Sequence, residues 1–514
     1  MTVLIVTLVI GALSAALGAA RWLRVAQREH YIAPWTTRIA LLWFRTIPAS
    51  ITFVLGALLF SVAGYIGWIN DSPTAWFALV GPVLLSALPI GLGIRGTSAK
   101  LAWTIRLKRL VAVWVVLVLA FGTVLVTLIG TLGVTVTLVV LPLLTDLALV
   151  ILKPIEKALS RKFLVSARKR LQQVRPTVVA ITGSYGKTST KGYVAHVLSG
   201  AYSTVASPAS FNNLMGLSRA VNERVVPGTE VFIAEMGVYG RGEIRELSES
   251  FPPDVAAITT IGEAHLARMG SREVIFQAKA EITEKAKTVV LPIDEVELAG
   301  LASLCRTQGK RVVTVSVIPG TDADVVVDTT AGTVTVGGYT APFTIPSVGH
   351  AVNLGVAVGI AVALDVELAT IAKRLGSLPD SPHRAEIQEG PNGVAIIDDT
   401  YNANPVGAER AVQGAAALAA ERGGPLIVVT PGMVELGSVQ RERNSAFAAT
   451  VAGLGGHLFA VARTNRHALM SGAANGPHPV RTFDSRTDAV AAALDQAGDR
   501  GVILYENDLP DHYP

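Results

Sequence analysis

Cysteine is all but absent. The 514-residue chain holds one, Cys305, which excludes an internal disulfide and fits a reducing compartment. Charge is scarce as well. Only 16% of residues are charged against 50% hydrophobic, with a mean hydropathy of +0.47, too apolar for an ordinary soluble enzyme. Internal repeats and low-complexity tracts are missing. So is an ABC-type signature, which speaks against a transporter.

The apolar excess is concentrated in the first third. A helical span needs about 20 apolar residues, and five stretches approach that length, at about Val3–Ala20, Ile51–Ile69, Trp76–Ile94, Leu110–Ile129 and Leu132–Leu152. The first lacks a basic start and is followed by further spans, so it reads as an uncleaved anchor rather than a signal peptide. Buried core helices of a soluble protein are the alternative. Gly130-Thr131 predicts a tight membrane hairpin between the last two spans.

Lysine and arginine are absent from the connections Asn70-Asp71-Ser72 and Gly130-Thr131. They gather after span one (Arg21, Arg24, Arg28, Arg38, Arg45), after span three (Arg95, Lys100, Arg106, Lys108, Arg109) and after span five (Lys153, Lys157, Arg161, Lys162). By the positive-inside rule the N-terminus lies outside and everything beyond Lys153 is cytoplasmic. The net charge of +5 is therefore mostly topological and carries no argument for nucleic acid. Asp146, alone within the spans, is too little to mark a transport pathway.

Beyond the spans the chain is organised differently. Lys153 to Arg170 is basic and amphipathic, expected as a linker helix on the membrane surface or as a solvated helix. The remainder is too long for one core and predicts two domains. Apolar runs at Val178–Ile181, Val231–Ala234, Val255–Thr260, Val289–Pro292, Val394–Ile397, Leu426–Thr430 and Val502–Tyr505 alternate with helical patterns, which argues for mostly parallel α/β sheets. Val325–Thr344 reads as antiparallel hairpins. The expected organisation is multi-domain: an all-α five-span transmembrane region (1–155), a basic linker (156–172), an α/β central domain (173–379) and a second α/β domain (380–514), divided near Leu378–Ser381.

The most specific stretch is TGSYGKTST, Thr182–Thr190. An apolar strand, a Gly-rich turn with Lys-Thr, then a helix is the arrangement that cradles nucleotide phosphates. Gly183 and Gly186 let backbone N–H groups turn inward, Lys187 can reach the β/γ-phosphates, and the Thr188 hydroxyl can hold Mg²⁺. The spacing is GxxGKT, two residues shorter than the usual P-loop. ATP is the expected nucleotide, and it is found on the cytoplasmic side.

Further chemistry-bearing residues come in order after it. Phe211-Asn212-Asn213 lies in a polar loop. Glu235 ends the run VFIAEMG, where its carboxylate would emerge at the ligand-binding edge of a parallel sheet. His265 follows another strand, in TTIGEAHLARMG, and Lys279 sits on a predicted helix in QAKAEI. Each has a plain alternative: a capping acid, a loop histidine, a solvated helix charge. One carboxylate plus phosphate suffices for Mg²⁺; the His and Lys are harder to explain from first principles.

TGSYGKTSTK, FNNLMG, IAEMGVYGRGEI, IGEAHLARMGS, AKAEI, HRAE, IIDDTYNANP and GMVELG occur in this order, and together they resemble the Mur ligase family over about Val178–Val461. The branch they look most like adds D-Ala-D-Ala to a UDP-muramyl tripeptide. The resemblance implies ATP with two Mg²⁺ sites: Thr188 and Glu235 at the first, His265 and a carbamylated Lys279 at the second. It implies nucleotide contacts at Gly183, Ser184, Tyr185, Gly186, Lys187, Thr188, Ser189, Asn213, Arg384, Asp399 and Asn402, with Arg384 on the phosphates and Asp399 on the ribose. Lys187, His265, Lys279 and Arg384 would carry the catalysis.

Three departures stand out. Membrane spans occupy the place of the family's UDP-sugar domain. The G-x-H-N-x-x-N pattern reads Ser347–Asn353, so the family His falls on Gly349. GDM becomes Pro431-Gly432-Met433, and the C-terminal end reads YENDLPDHYP. The leading expectation is a membrane-anchored amide ligase of the bacterial cell envelope, working through an acyl phosphate. Its partners would be ATP, an amino-acid or short-peptide amine, an envelope-precursor carboxylate (lipid-linked in one version) and the membrane. The alternatives are a ligase like the poly-γ-glutamate synthases and a non-catalytic, ligase-derived scaffold.

Overall fold

A computed structural model of the chain describes residues 1–95, 101–208, 211–344, 351–379, 386–400 and 403–514. It divides into two compact units. The first comprises Met1–Leu159 with Ala462–Thr464 and Leu509–Pro514, the second Ser160–Val461 with Asn465–Asp508.

The first unit is helical. Helices Thr2–Arg28, Ala49–Ile69 and Ile105–Val139 are long and apolar enough to cross a bilayer. The last is broken at Ile129 and Gly130, where Gly130 takes φ +52° and reverses the chain. The arms then run back on each other: Trp114 Nε1 donates to Thr145 Oγ1 at 3.1 Å, and Arg109 Nε donates to Glu156 Oε1 at 2.6 Å. This is the hairpin expected at Gly130-Thr131.

The third expected span is not a continuous helix. A 3-10 segment, Pro73–Leu79, runs into the helix Val80–Ser86, too short for a hydrocarbon core of about 30 Å. Pro89, which has no N–H to donate, stands just beyond. Helices in this unit meet through small residues. A Cβ on Gly64 would lie 2.1 Å from Ala78 N, and one on Gly81 2.1 Å from Ser61 Oγ. Leu59, Val116 and Leu128 face outward, each about two-thirds exposed, a surface suited to hydrocarbon rather than water.

The arginines expected just after the first span and the aspartate expected within the last are buried. Helix Thr2–Arg28 continues through Arg21 and Arg24, which are 7% and 1% exposed. Arg21 donates to the Leu92 and Ser86 carbonyls, and Arg24 donates to Gly93 O and to the Asp511 carboxylate at 2.9 Å. Asp146 accepts from Thr36 N, Thr37 N and Thr37 Oγ1, so it caps the helix Trp35–Thr46. The C-terminal residues belong to the same unit. His512 Nε2 lies 2.8 Å from Glu29 Oε1, and Trp43 Nε1 donates to His512 O at 2.8 Å. Leu509–Pro514, the last part of the unusual end, thus packs among helices.

The expected linker is no separate segment. The fifth apolar stretch is divided between the end of helix Ile105–Val139 and one helix, Leu141–Val174, that also carries the basic stretch, and whose Leu164, Ala167 and Leu171 pack into the core of the second unit.

The second unit holds two sheets. The larger is built from β1 (Thr177–Thr182), β2 (Thr204–Ala206), β3 (Val231–Glu235), β4 (Val255–Ile258), β5 (Thr288–Pro292), β6 (Arg311–Ser316), β7 (Val325–Asp328), β8 (Thr333–Val336) and β9 (Tyr339–Pro342), in the order 2-3-1-4-5-6-7-8-9. It is parallel as far as β7 and ends in the antiparallel meander β7-β8-β9. The smaller contains β10 (Glu386–Glu389), β11 (Ala395–Asp399), β12 (Leu426–Thr430), β13 (His457–Val461), β14 (Arg481–Phe483) and β15 (Val502–Glu506), in the order 10-11-15-12-13-14, antiparallel only at β10. One apolar cluster with Phe232 and Phe251 and another with Ile181 and Tyr193 pack on the first sheet. That double burial is why its central strands read as unbroken apolar runs. β1 lies between β3 and β4, with Ile181 beside Glu235 and Thr182 beside Ile258. Three strand ends therefore open on one place.

Candidate active site

The loop after β1 turns on two glycines. Gly186 adopts φ +79° as the cap residue of helix Lys187–Leu198, a conformation that costs other residues strain. Neither glycine has room for a side chain: a Cβ on Gly183 would lie 1.8 Å from Thr259 Oγ1, and one on Gly186 2.0 Å from Asn353 Oδ1. Neighbouring loops hold this cradle rigid. Ser184 Oγ accepts from Gly262 N at 2.8 Å, Tyr185 Oη accepts from Glu263 N at 2.8 Å, and Thr259 Oγ1 donates to Tyr185 O. Burial pushes the Tyr185 hydroxyl pKa upward, so it stays protonated. The helix that follows points its first N–H groups at the loop, an anion site by geometry and dipole.

Lys187 Nζ donates to Gly183 O at 2.7 Å and Ser184 O at 3.5 Å, so its ammonium lies over the loop. Thr188 Oγ1 donates to Glu235 Oε2 at 3.1 Å. Glu235 is 2% exposed and also takes Lys191 Nζ at 2.9 Å and Asn212 Nδ2 at 3.2 Å. It caps no helix. Lys191, one turn beyond Lys187 on the same helix, and Asn212 are participants the sequence reading did not single out, although both lie in its motifs. Asn213 serves elsewhere, since its Oδ1 accepts from Gly216 N at 2.9 Å and caps the helix Leu214–Arg224. Ser189 Oγ is buried without a hydrogen-bond partner among the described residues.

His265 and Lys279 reach the same region from other elements. Lys279 lies on helix Arg272–Ala280 and is 2% exposed. Burial, reinforced by the charge of Lys187, holds its pKa well below the usual lysine value. A neutral amine is the form that adds CO₂. His265 sits at φ +61° after β4, within electrostatic reach of Lys187 and Lys279, and burial disfavours its protonation. Its Nδ1 is 2.5 Å from Glu435 Oε2, and Tyr239 packs edge-on against the ring at 4.9 Å. Burial would raise the Glu435 pKa, but the hydrogen bond from His265 and the charge and hydrogen bonds of Arg268 outweigh it and hold it below the usual carboxylate range.

The second sheet brings its own groups. Asp399 ends β11 and stands in register with Glu506 of β15. Glu506 is 1% exposed, and burial together with Asp399 pushes its pKa well up. Nothing in the sequence pattern marked this pair. Gly432 takes φ +75°, and a Cβ there would lie 2.4 Å from Asn444 Oδ1, so the family's Asp has no room at this position. Arg384, Asn402 and Gly349 lie outside the described residues.

The donor set fits a nucleoside triphosphate with divalent metal: a glycine cradle, an orphaned buried hydroxyl at Ser189, a lysine, and a carboxylate beside a threonine hydroxyl. Comparison with known proteins agrees. Residues 181–362 match the Mur ligase middle domain, and residues 383–505 match the glutamate ligase domain of Mur ligases. The chain is 36% identical over 247 residues to a UDP-N-acetylmuramoyl-tripeptide--D-alanyl-D-alanine ligase of Mycobacterium bovis, covering 45% of this chain and 46% of that one. It is 33% identical over 283 residues to the ligase of that name from Bacillus subtilis, covering 53% and 60%. The chain thus spans about half the length of these relatives. The crystal structure of the MurF ligase of Thermotoga maritima in complex with ADP shares the fold, with a TM-score of 0.57 at 23% identity over 68% of this chain and 80% of that one. With the two ligase domains matched in order over more than half of its length, the chain belongs to the Mur ligase family.

Proposed function

We propose that this protein is a membrane-anchored, ATP-dependent amide ligase of bacterial envelope synthesis. The observation that carries the reading is one cluster: Lys187 and Thr188 on the glycine cradle, Glu235 hydrogen-bonded to Thr188, and His265 and Lys279 within electrostatic reach of Lys187. A carboxylate oxygen of the substrate attacks the γ-phosphorus, the β–γ bridging bond breaks, and ADP leaves an acyl phosphate. An amine nitrogen then attacks the acyl carbon, loses a proton, and phosphate departs. Thr188 and Glu235 would hold one Mg²⁺, and His265 with a carbamylated Lys279 a second, where the ions would supply charge neutralisation. Lys187 holds the transferring phosphoryl, Arg384 and Asn402 complete the nucleotide contacts, and Asp399 takes the ribose. Positioning and electrostatics do the rest.

The apolar helices of the first unit support anchoring, with the N-terminus outside and the ligase sheets in the cytoplasm. Topology is tested with a reporter active only in the cytoplasm. Fused after Lys162 it is expected to be active, and fused after Asp71 silent; the reverse pattern overturns the orientation.

Membrane anchoring raises the effective concentration of substrates confined to the bilayer. The acceptor is therefore a lipid-linked or membrane-attached carboxylate, and the amine an amino acid or short peptide. The test offers the purified enzyme soluble and lipid-linked forms of one muramyl-peptide precursor, with products read by mass spectrometry. Faster ligation of the lipid form is expected. Equal rates remove the membrane-substrate reading and favour the soluble UDP-linked substrate named for the relatives.

A further inference from the structure

We propose that Glu435 is a positioning residue for His265: it holds the proton on Nδ1 and leaves Nε2 as the ring's metal-ready lone pair. The proposal rests on the reading of His265 as a Mg²⁺ ligand. Glu435 lies in the loop after β12, so a side chain on the second sheet sets the state of a histidine on the first.

The geometry is specific. Oε2 of Glu435 is 2.5 Å from His265 Nδ1, while Oε1 accepts from Arg268 Nε at 3.0 Å and from Arg268 Nη2. An ionised carboxylate can only accept, so the proton of the short contact belongs to Nδ1, and the neutral ring keeps its lone pair on Nε2. Metal-binding histidines ordinarily hand their other N–H to such a carboxylate. The ring is fixed on its other side as well. Tyr239 packs edge-on against it, and the Arg268 guanidinium lies 5.0 Å from the Tyr239 ring centre, closing a circuit of four side chains.

The backbone is committed to the same contact. His265 and Glu435 have φ of +61° and +62°, a region that residues with a side chain seldom occupy and that persists where its surroundings demand it. Ala267 N donates to Glu435 O at 2.9 Å, joining the loops through the main chain. A docking role alone does not require the histidine, because Arg443 pairs with Glu263 across the same boundary at 2.7 Å. The consequence is mechanistic: the metal-facing histidine is correctly set only while the two sheets are together.

Glu435→Gln tests this without changing shape. Arg268 claims the single amide oxygen, because an NH₂ against the guanidinium would set donor against donor. The NH₂ then faces Nδ1 and drives the ring proton to Nε2. The full chain, labelled with ¹⁵N-histidine in nanodiscs, is examined by NMR for the His265 tautomer and by EPR for Mn²⁺ binding with a non-hydrolysable ATP analogue. The wild type is expected to show the Nδ1–H form. Glu435→Gln is expected to show Nε2–H and bind Mn²⁺ about 10–100-fold more weakly, and Arg443→Ala to change neither. Glu435→Ala should weaken Mn²⁺ similarly. An Nδ1–H tautomer with wild-type Mn²⁺ affinity in Glu435→Gln overturns the proposal. Unchanged Mn²⁺ affinity in His265→Ala would instead remove the metal-ligand reading beneath it.

Discussion

Lys187→Ala is expected to lower ATP turnover by about 10²–10³-fold or more, the loss typical of a charge-stabilising donor in a water-poor site. The structure gives a reason that no neighbour compensates. Lys191 is committed to Glu235 at 2.9 Å, with side chains only 7% and 2% exposed. Moving it to the phosphates would leave a buried carboxylate unpaired, which is strongly unfavourable. Burial and the charge of Lys187 both disfavour the ammonium form of Lys279. ADP release by the purified protein measures the effect. Arg384→Ala is expected to reduce turnover with less change in nucleotide affinity, the behaviour of a residue that acts on closure over the phosphates. Wild-type turnover in both variants ends the ligase reading.

Lys279→Ala is expected to be inactive and to recover partly with added acetate or formate. An ammonium beside a divalent cation is electrostatically untenable, whereas a carbamate offers the oxygen that Mg²⁺ prefers. Carbamate formation joins the amine nitrogen to the carbon of CO₂ with loss of a proton, and it needs an unprotonated amine. Lys279 meets that condition: it is 2% exposed, its pKa is displaced downward by burial and by Lys187, and it makes no hydrogen bond or ion pair among the described residues. Small carboxylates fit the space left by the side chain and replace the missing oxygen. Full activity of Lys279→Ala without additive returns the residue to a structural role. Inactivity without rescue at any carboxylate concentration removes the carbamate.

The parts legible in the sequence are those governed by local rules. Long apolar runs announced the helices of the first unit, Gly130 the hairpin, and seven buried strands the two sheets. Several strands escaped, the interior β6 and β13 as well as short or edge ones. β2 has three residues and β14 is largely exposed, so neither carries an apolar run. The Trp76–Ile94 stretch misled because hydropathy counts residues and does not register a chain that stops helical winding after Ser86. Arg21 and Arg24 counted as surface charges, yet carbonyls of the loop near Leu92 and the distant Asp511 accept hydrogen bonds from them inside the helices.

The sequence by itself determined the glycine cradle, the lysine and threonine on it, the carboxylate at the end of β3 and the membership of His265 and Lys279 in one ordered series. Those depend on residue type and spacing within single strand–loop–helix units. Only the tertiary structure decided that Asn212 rather than Asn213 meets Glu235, that Lys191 neutralises it, that Glu435 grips His265 and that Glu506 stands beside Asp399. Each of these pairs joins residues from different elements of the fold, some separated by more than 100 positions. Their meeting depends on strand order and burial, which no local pattern encodes.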